Sequence, residues 1–304
     1  MPKVEELTNS RPVRSSAKLP VSVIVATRNE EKNLPRCLEA LREVGEVYVI
    51  DSESTDSTAE IARSYGAKVV QFHYQGGWPK KRQWAIENLP FVFDWIFLVD
   101  ADEALTPELA NEIRRAIQNP EINGYYISLK MYFLGRLLRH GGAGFWKLPL
   151  FRRAKGGYEC RLKDQDSSMA DMEIHEHIVV EGATARLQNP LEHHNVESLS
   201  RYIQKHDEYS NWEAKVWVEG DAKDLAPAFF GTQAQRRRWL KTKFLRLPGS
   251  PLWFFLFKYV LNLGFLDGVP GLIYSGFQAV QVFHVKAKIS EMQRTGTHTR
   301  STLE

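Results

Sequence analysis

Two cysteines, Cys37 and Cys160, are all that this 304-residue chain carries, and they stand far apart in no metal-like spacing. So few thiols exclude a disulfide framework and suit a reducing compartment. Glycine-rich phosphate cradles are missing as well. Neither Gly-x-Gly-x-x-Gly nor Gly-x-x-x-x-Gly-Lys-Ser/Thr occurs, so dinucleotide and P-loop readings lose their anion-binding turn. The first 18 residues contain Arg11, Arg14 and Lys18 but no apolar stretch. That is neither a signal peptide nor an anchor, so a flexible tail over 1–18 on a cytosolic chain is expected. No convincing 20-residue apolar span is present either. Lys258 interrupts the run from Leu252 to Leu266, and Pro270, Gly271, Gly276, Gln278 and Gln281 dilute the run from Val269 to Val285. Acids are scarce in one place. Residues 231–290 hold nine Lys/Arg against a single acid, Asp267, a surplus of eight in a chain of net charge +3 that leaves −5 elsewhere. Such asymmetry turns a basic C-terminal region toward an anionic partner.

What is present suffices for a sizeable core, since 43% of the residues are hydrophobic. Short β-branched runs at Val21–Ala26, Glu46–Ile50 and Lys68–Phe72 alternate with helical patterns. Leu34, Leu38 and Leu41 share one face, and Ile61 and Tyr65 share another. Ser54-Thr55-Asp56 precedes the second helix with capping chemistry, and Gly66 stands where that helix must turn left-handed. Thr106-Pro107-Glu108 opens a further helix. This alternation predicts a parallel, Rossmann-like sheet for residues 19–120.

The polar segments fall at strand ends. The first strand ends in Thr27-Arg28-Asn29-Glu30 and the second in Asp51-Ser52-Glu53-Ser54-Thr55-Asp56. The apolar run Ile96–Val99 stops in Asp100-Ala101-Asp102-Glu103, two carboxylates spaced i, i+2. Ligands of open α/β sheets bind at that edge. Two hard oxygen ligands suit Mg²⁺ or Mn²⁺ with phosphate oxygens as further ligands. A lone Asp-x-Asp is more often a solvated strand end, but the joint placement of three such segments is poorly explained that way. Between the third and fourth strands, Gly76-Gly77-Trp78-Pro79-Lys80-Lys81-Arg82 sets cations at a helix start. That is a natural diphosphate site and a placement the helix dipole otherwise opposes. A solvated basic turn is the plainer alternative.

These segments resemble those of family-2 glycosyltransferases of the GT-A fold. The matching residues are Val21 to Glu30, Val49 to Thr58 and Leu98 to Glu103, most similar to the bacterial lipopolysaccharide-core and surface-polysaccharide enzymes. Ser52 departs from the commoner pattern of two adjacent aspartates. The resemblance implies an α/β GT-A sheet, mostly parallel and flanked by helices, and a nucleotide-sugar donor. Thr27, Arg28 and Glu30 would line the nucleotide pocket, with Asp51 on the uracil or ribose. Lys81 and Arg82 would meet the diphosphate, and Asp100 and Asp102 would hold the metal and ribose. Similar transferases carry a His-Glu pair where this chain has His175-Glu176-His177, which makes Glu176 the expected base for an inverting transfer. Its spacing is not that of a zinc helix, and an ordinary salt-bridge partner is the alternative. Of His193 and His194, His194 is taken as a third metal ligand, a structural histidine being equally compatible.

The glycine-rich, basic stretch from Gly135 to Asp171 is read as an acceptor-side loop. Leu199 to Val218 reads as a helix whose aromatics serve the core. The expected division is a catalytic domain over 19–228, with a nucleotide-sugar half over 19–120 and an acceptor half over 121–228. A basic, amphipathic helical extension follows over 229–304. Basic residues ahead of aromatic-rich apolar helices suit an element lying on an anionic membrane surface. A packed helical subdomain or an oligomer contact is the alternative. The expected activity is transfer from a nucleotide sugar, UDP-linked by preference, to a lipid-linked or lipopolysaccharide-core acceptor at the cytoplasmic face of the inner membrane, with no nucleic-acid partner. Two rivals stay open: a sugar nucleotidyltransferase, though its glycine-rich loop after the first strand is missing, and a non-catalytic scaffold with the same fold.

Overall fold

The computed structural model describes residues 18–163, 171–173, 176–195, 198–219, 230 and 233–295. Its first half alternates as the periodicity predicts. β1 (Leu19–Thr27), β2 (Val44–Asp51), β3 (Lys68–Gln71) and β4 (Trp95–Asp100) alternate with α1 (Leu34–Ala40), α2 (Thr58–Ser64) and α3 (Lys81–Asn88). β2 lies parallel to β1 and β3, and β4 lies parallel to β1. A short β5 (Glu103–Ala104) precedes α4 (Pro107–Ala116), whose cap Thr106 accepts from the Leu109 amide at 3.2 Å. Gly66 takes φ +78°, the left-handed turn a helix end favours. Inward residues of β1, β2 and β4 meet Leu34, Leu38, Leu41, Leu109 and Ile113 in one core.

The second half is mixed rather than parallel. β6 (Ile122–Phe133), β7 (Arg136–Leu137), β8 (Trp146–Arg152), β9 (Gly156–Tyr158), β10 (Ile178–Val180), β11 (Ala183–Arg186) and β12 (Leu191–Asn195) follow in order. The large sheet runs β3-β2-β1-β4-β8-β6-β12-β5, with β7 and β11 also on β6, while β9 and β10 form a separate pair. β8 corrects the sequence reading of Gly135 to Asp171 as a loop, for it is a buried strand between β4 and β6, antiparallel to both. Pro149 disguised it, because proline has no amide to give a central ladder. The β6 register shifts between Tyr125 and Ile127, and that irregularity faces the proline.

α5 (Leu199–Glu219) buries Tyr202 and Trp212, as expected of core aromatics. α6 (Gln233–Arg246), α7 (Ser250–Leu256), a π turn at Phe257–Leu261, a 3-10 turn at Gly264–Asp267 and α8 (Gly268–Thr295) complete the described chain. Ala214 of α5 meets Leu245, Val285 and Ile289, while Tyr202 and Tyr274 close around Phe133 of β6. One face of the C-terminal helices is therefore built into the body of the protein.

Candidate active site

The three predicted strand ends form one row. Thr27 pairs in register with Asp51, Asp51 with Gln71, and Ala26 with Asp100. Asp51 is buried, and its carboxylate accepts from Thr27 Oγ1 at 3.0 Å, the Ser54 amide at 3.1 Å, Gln71 Nε2 at 3.0 Å and the Ser54 hydroxyl. The rest of that motif laces down the loop after β1. Ser54 Oγ accepts from the Asn29 amide at 2.8 Å, Thr58 Oγ1 from the Glu30 amide at 2.8 Å, and Asn29 Oδ1 from the Thr55 amide at 2.8 Å. Asn29 holds φ +56° to permit this. Glu30 receives Asn33 Nδ2 and Lys205 Nζ, each at 2.8 Å, and Arg28 stands exposed beside it. Ser52 Oγ, at the position that departs from the twin-aspartate pattern, is buried and without a hydrogen bond.

A second set gathers where β4 ends. Asp100, Asp102 and His193 each offer one ligand atom, all within 4.8 Å of one another. Two carboxylate oxygens and an imidazole nitrogen suit Mn²⁺ or Mg²⁺. His193 Nδ1 lies 3.3 Å from Asp102 Oδ1, buried and without a hydrogen bond of good geometry, so the donor set fits such an ion. Glu103, wholly buried, holds the turn: it accepts the Asp100 amide at 2.9 Å and Lys147 Nζ at 2.6 Å. Lys147 also stands 3.5 Å from Asp100.

Electrostatics divide the two aspartates. Burial would raise the Asp100 carboxyl, but Lys147 and Arg82 hold it well below the usual carboxylate range. Burial, with the Asp100 charge adding to it, pushes Asp102 up to about 6 against the pull of His193. Burial works against the His193 cation, yet Asp102 and Glu103 lift it to about 9.

His194 corrects the sequence expectation of a third ligand there. Its ring stacks on Tyr132 at 4.1 Å between centroids, and its Nε2 lies 3.1 Å from Glu192. Neighbours on a strand face opposite ways. The antiparallel pairing of His193 with Glu103 turns His193 to the aspartates and its neighbour away. The His194 backbone still contributes, its amide donating to the Asp102 carbonyl at 2.7 Å.

The cations at the start of α3 open no vacant cradle. Lys80 pairs with Glu176 at 3.3 Å, both side chains fully buried, and Lys81 pairs with Asp171 at 3.1 Å while donating to the Thr27 carbonyl at 2.7 Å. Arg82 bonds Asp100 directly and the Glu173 carbonyl at 2.9 Å. The Glu173 carboxylate caps the helix itself, taking the amides of Arg82 at 3.2 Å and Gln83 at 2.9 Å. Three acids thus answer three cations placed against the helix dipole. Burial lowers the Lys81 ammonium, and Asp171 works against that. Glu176 therefore faces Lys80, and no strand carries it. His177 donates its amide to Glu159 Oε1 at 2.9 Å, and His175 lies outside the described residues.

A row of polar strand ends, an Asp-x-Asp pair and an alternating sheet constrain the family, and the profile described as Glycosyl transferase family 2 matches residues 22–178. The chain belongs to that family. Proteins named as glycosyltransferases are similar over most of its length. The lipopolysaccharide core biosynthesis glycosyltransferase LpsC of Rhizobium meliloti is 28% identical over 88% of this chain and 93% of that protein. An uncharacterized glycosyltransferase of Rickettsia typhi is 25% identical over 90% of this chain and 87% of its own. Among solved structures, the mannosyltransferase PcManGT of Pyrobaculum calidifontis overlays loosely, with TM-score 0.48 and 16% identity over 90% of this chain and 88% of that one.

For this glycosyltransferase, sequence reasoning missed His193 as the facing histidine, Glu103 and Lys147 as supports, and Asp171 and Glu173 as partners of the α3 cations. The acids at 171, 173 and 176 form a run that could have been set against the cations at 80, 81 and 82. Lys147 left no comparable signal, lying in a strand hidden by Pro149.

Proposed function

We propose that this glycosyltransferase is metal-dependent and inverting, and moves a sugar from a nucleotide donor to a lipid-linked or lipopolysaccharide-core acceptor, with UDP-sugars the favoured donors. The cluster of Asp100, Asp102 and His193 at the ligand-binding edge of the sheet carries the reading. Thr27, Arg28, Glu30 and Asp51 line the nucleotide side, and Ser52 Oγ supplies an unspent hydrogen-bonding group there. Lys81 and Arg82 lie under the diphosphate, where Arg82 turns its charge from Asp100 to the phosphate oxygens. Asp100, Asp102 and His193 would hold a divalent ion, which when bound would supply charge neutralisation for the departing nucleoside diphosphate.

In the transfer, the acceptor oxygen bonds to the anomeric carbon as the bond to the diphosphate oxygen breaks and its electron pair leaves with the nucleotide. Glu176 accepts the hydroxyl proton, for which its carboxylate must first leave Lys80. The likeness to LpsC supports a lipopolysaccharide-core acceptor. Such an acceptor sets the enzyme at the cytoplasmic face of the inner membrane.

Purified protein supplied with a panel of nucleotide sugars should release the nucleoside diphosphate only with Mn²⁺ or Mg²⁺ present. Full turnover in excess EDTA, or no release from any donor, overturns the reading. Glu176→Gln should spare donor binding by calorimetry and slow transfer about 10²-fold. Lost donor affinity at an unchanged rate removes Glu176 from the role of base.

A further inference from the structure

Where the C-terminal helices turn, the protein exposes a ridge of large apolar side chains that nothing in the described fold covers. Trp253, Phe257, Leu261, Leu263, Leu266 and Val269 all lie open, with Leu261 at 72% and Val269 at 67% exposure. Isolated apolar residues on a surface are ordinary, but a contiguous ridge of this size marks a contact. Leu134 and Phe145 are exposed on the neighbouring segment between β6 and β8.

This end is built rather than frayed. The Gly141 amide donates to the Asn262 carbonyl at 2.8 Å, and Lys258 Nζ to the Gly142 carbonyl at 3.0 Å. Asp267 takes the amides of Arg139 at 3.2 Å and His140 at 2.9 Å. A Cβ on Gly271 would stand 2.1 Å from the Gly264 carbonyl oxygen, so the two turns meet backbone to backbone. The four non-glycine residues of positive φ among the described residues include Leu134 at +49° and Leu263 at +58°. Such a conformation favours glycine or asparagine, and leucine holds it at a cost. Here both strained leucines point apolar side chains at solvent.

Charge indicates what covers the ridge. Arg136, beside Gly268, and Arg139, whose amide meets Asp267, are exposed next to it, and Lys241, Lys243 and Arg246 are exposed on α6, whose Phe244 packs on Phe254 of α7. The one acid between residues 231 and 290, Asp267, is buried and consumed by the joint. Among the described residues no single helix is long and apolar enough to cross a bilayer. Ser250–Leu261 and Gly264–Thr295 pass that test only as a pair bent by 70°. An apolar ridge with a basic rim on helices that do not span fits the plane of an anionic bilayer interface.

We infer that residues 250–272, with the turn at Leu134, form a wedge that docks the enzyme on the acyl boundary of an anionic bilayer. The inference deepens the lipid-linked acceptor reading, on which its purpose rests. Phe133 of the same β6 end packs on Tyr202 and Tyr274, and β6 pairs with the His193 strand two residues away, at Met131. Docking there brings the sheet edge that holds Asp102 and His193 to a membrane-borne acceptor.

The full-length protein should sediment with phosphatidylglycerol-containing vesicles, bind phosphatidylcholine alone weakly, and stay bound in raised salt. Leu261→Asp combined with Val269→Asp should cut the bound fraction about ten-fold or more, with melting temperature and donor hydrolysis unchanged. Brominated acyl chains should quench wild-type tryptophan fluorescence, and Trp253→Phe should lose most of that quenching. Vesicle binding that ignores both changes overturns the wedge. So does a wild-type dimer that the aspartates dissociate in the absence of any vesicle affinity, for then a second copy covers the ridge. Donor hydrolysis without vesicle binding sinks the wedge alone, and vesicle binding without hydrolysis on any donor sinks the catalytic reading alone.

Discussion

Two ionic clusters meet at Arg82, and water reaches only one of them. Asp100, Asp102 and His193 at the sheet edge keep between 19% and 34% of their side-chain surface open. Lys80 and Glu176 at the α3 start keep none. An open cluster can trade a protein partner for a ligand at little loss, since solvent screens the interval between them. A sealed pair cannot, because removing one charge strands the other in low dielectric. On the proposed function, the sheet edge is thus where a ligand would first enter, and the helix start is what would rearrange afterward. Substitutions at the first should register in activity alone, and at the second in stability as well.

The largest effect is expected at the open cluster. Asp102→Ala should cut turnover about 10³-fold while shifting stability by less than about 1 kcal/mol. A large fall in melting temperature would break the contrast by making Asp102 part of the scaffold. The sealed cluster should behave oppositely. Lys80→Met removes a cation 3.3 Å from the buried Glu176 carboxylate and should destabilise by about 3 kcal/mol in denaturant titration, and Lys80→Met with Glu176→Leu should recover most of it. If Lys80→Met unfolds no more easily than wild type, the pair is not sealed in solution.

The smallest effect tests a carboxylate of structural use only. Burial would raise Asp267, but bonds from His140 and from the His140 and Arg139 amides lower it. A depressed carboxyl stabilises the fold above its unfolded value, and that contribution fades as pH falls through the lower folded one. Asp267→Asn should therefore lose about 1 kcal/mol at neutral pH and melt like wild type in acid below the ordinary carboxylate range. A deficit that persists there assigns Asp267 a packing role instead of an ionic one.

How far the sequence could be read depended on whether local spacing or distant pairing decided each feature. The parallel half was legible because each strand carries its own β-branched run and each helix its own face. Thr27, Asp51 and Asp100 came out side by side since strand ends in such a sheet share an edge. His193 against His194 was undecidable locally, because the choice depends on the register of a five-residue strand against Glu103, ninety residues away. The acids facing Lys80 and Lys81, and the Glu173 carbonyl that takes Arg82, were hidden for the same reason, lying about ninety residues downstream. Pro149 concealed β8 by a rule that holds for regular ladders and lapses at a bulge.

The placement of β12 between β6 and β5 also has a bearing on how the molecule comes into being. The pairings among β1 to β4 join segments of modest sequence separation. The Asp-x-Asp turn, however, receives the His194 amide and the His193 ring only after the strand at 191–195 has been synthesised and threaded between its neighbours. The geometry of the Asp-x-Asp turn therefore depends on a strand that is made ninety residues after it, so a chain lacking 191–195 should keep the parallel strands' own pairings yet leave that turn incomplete.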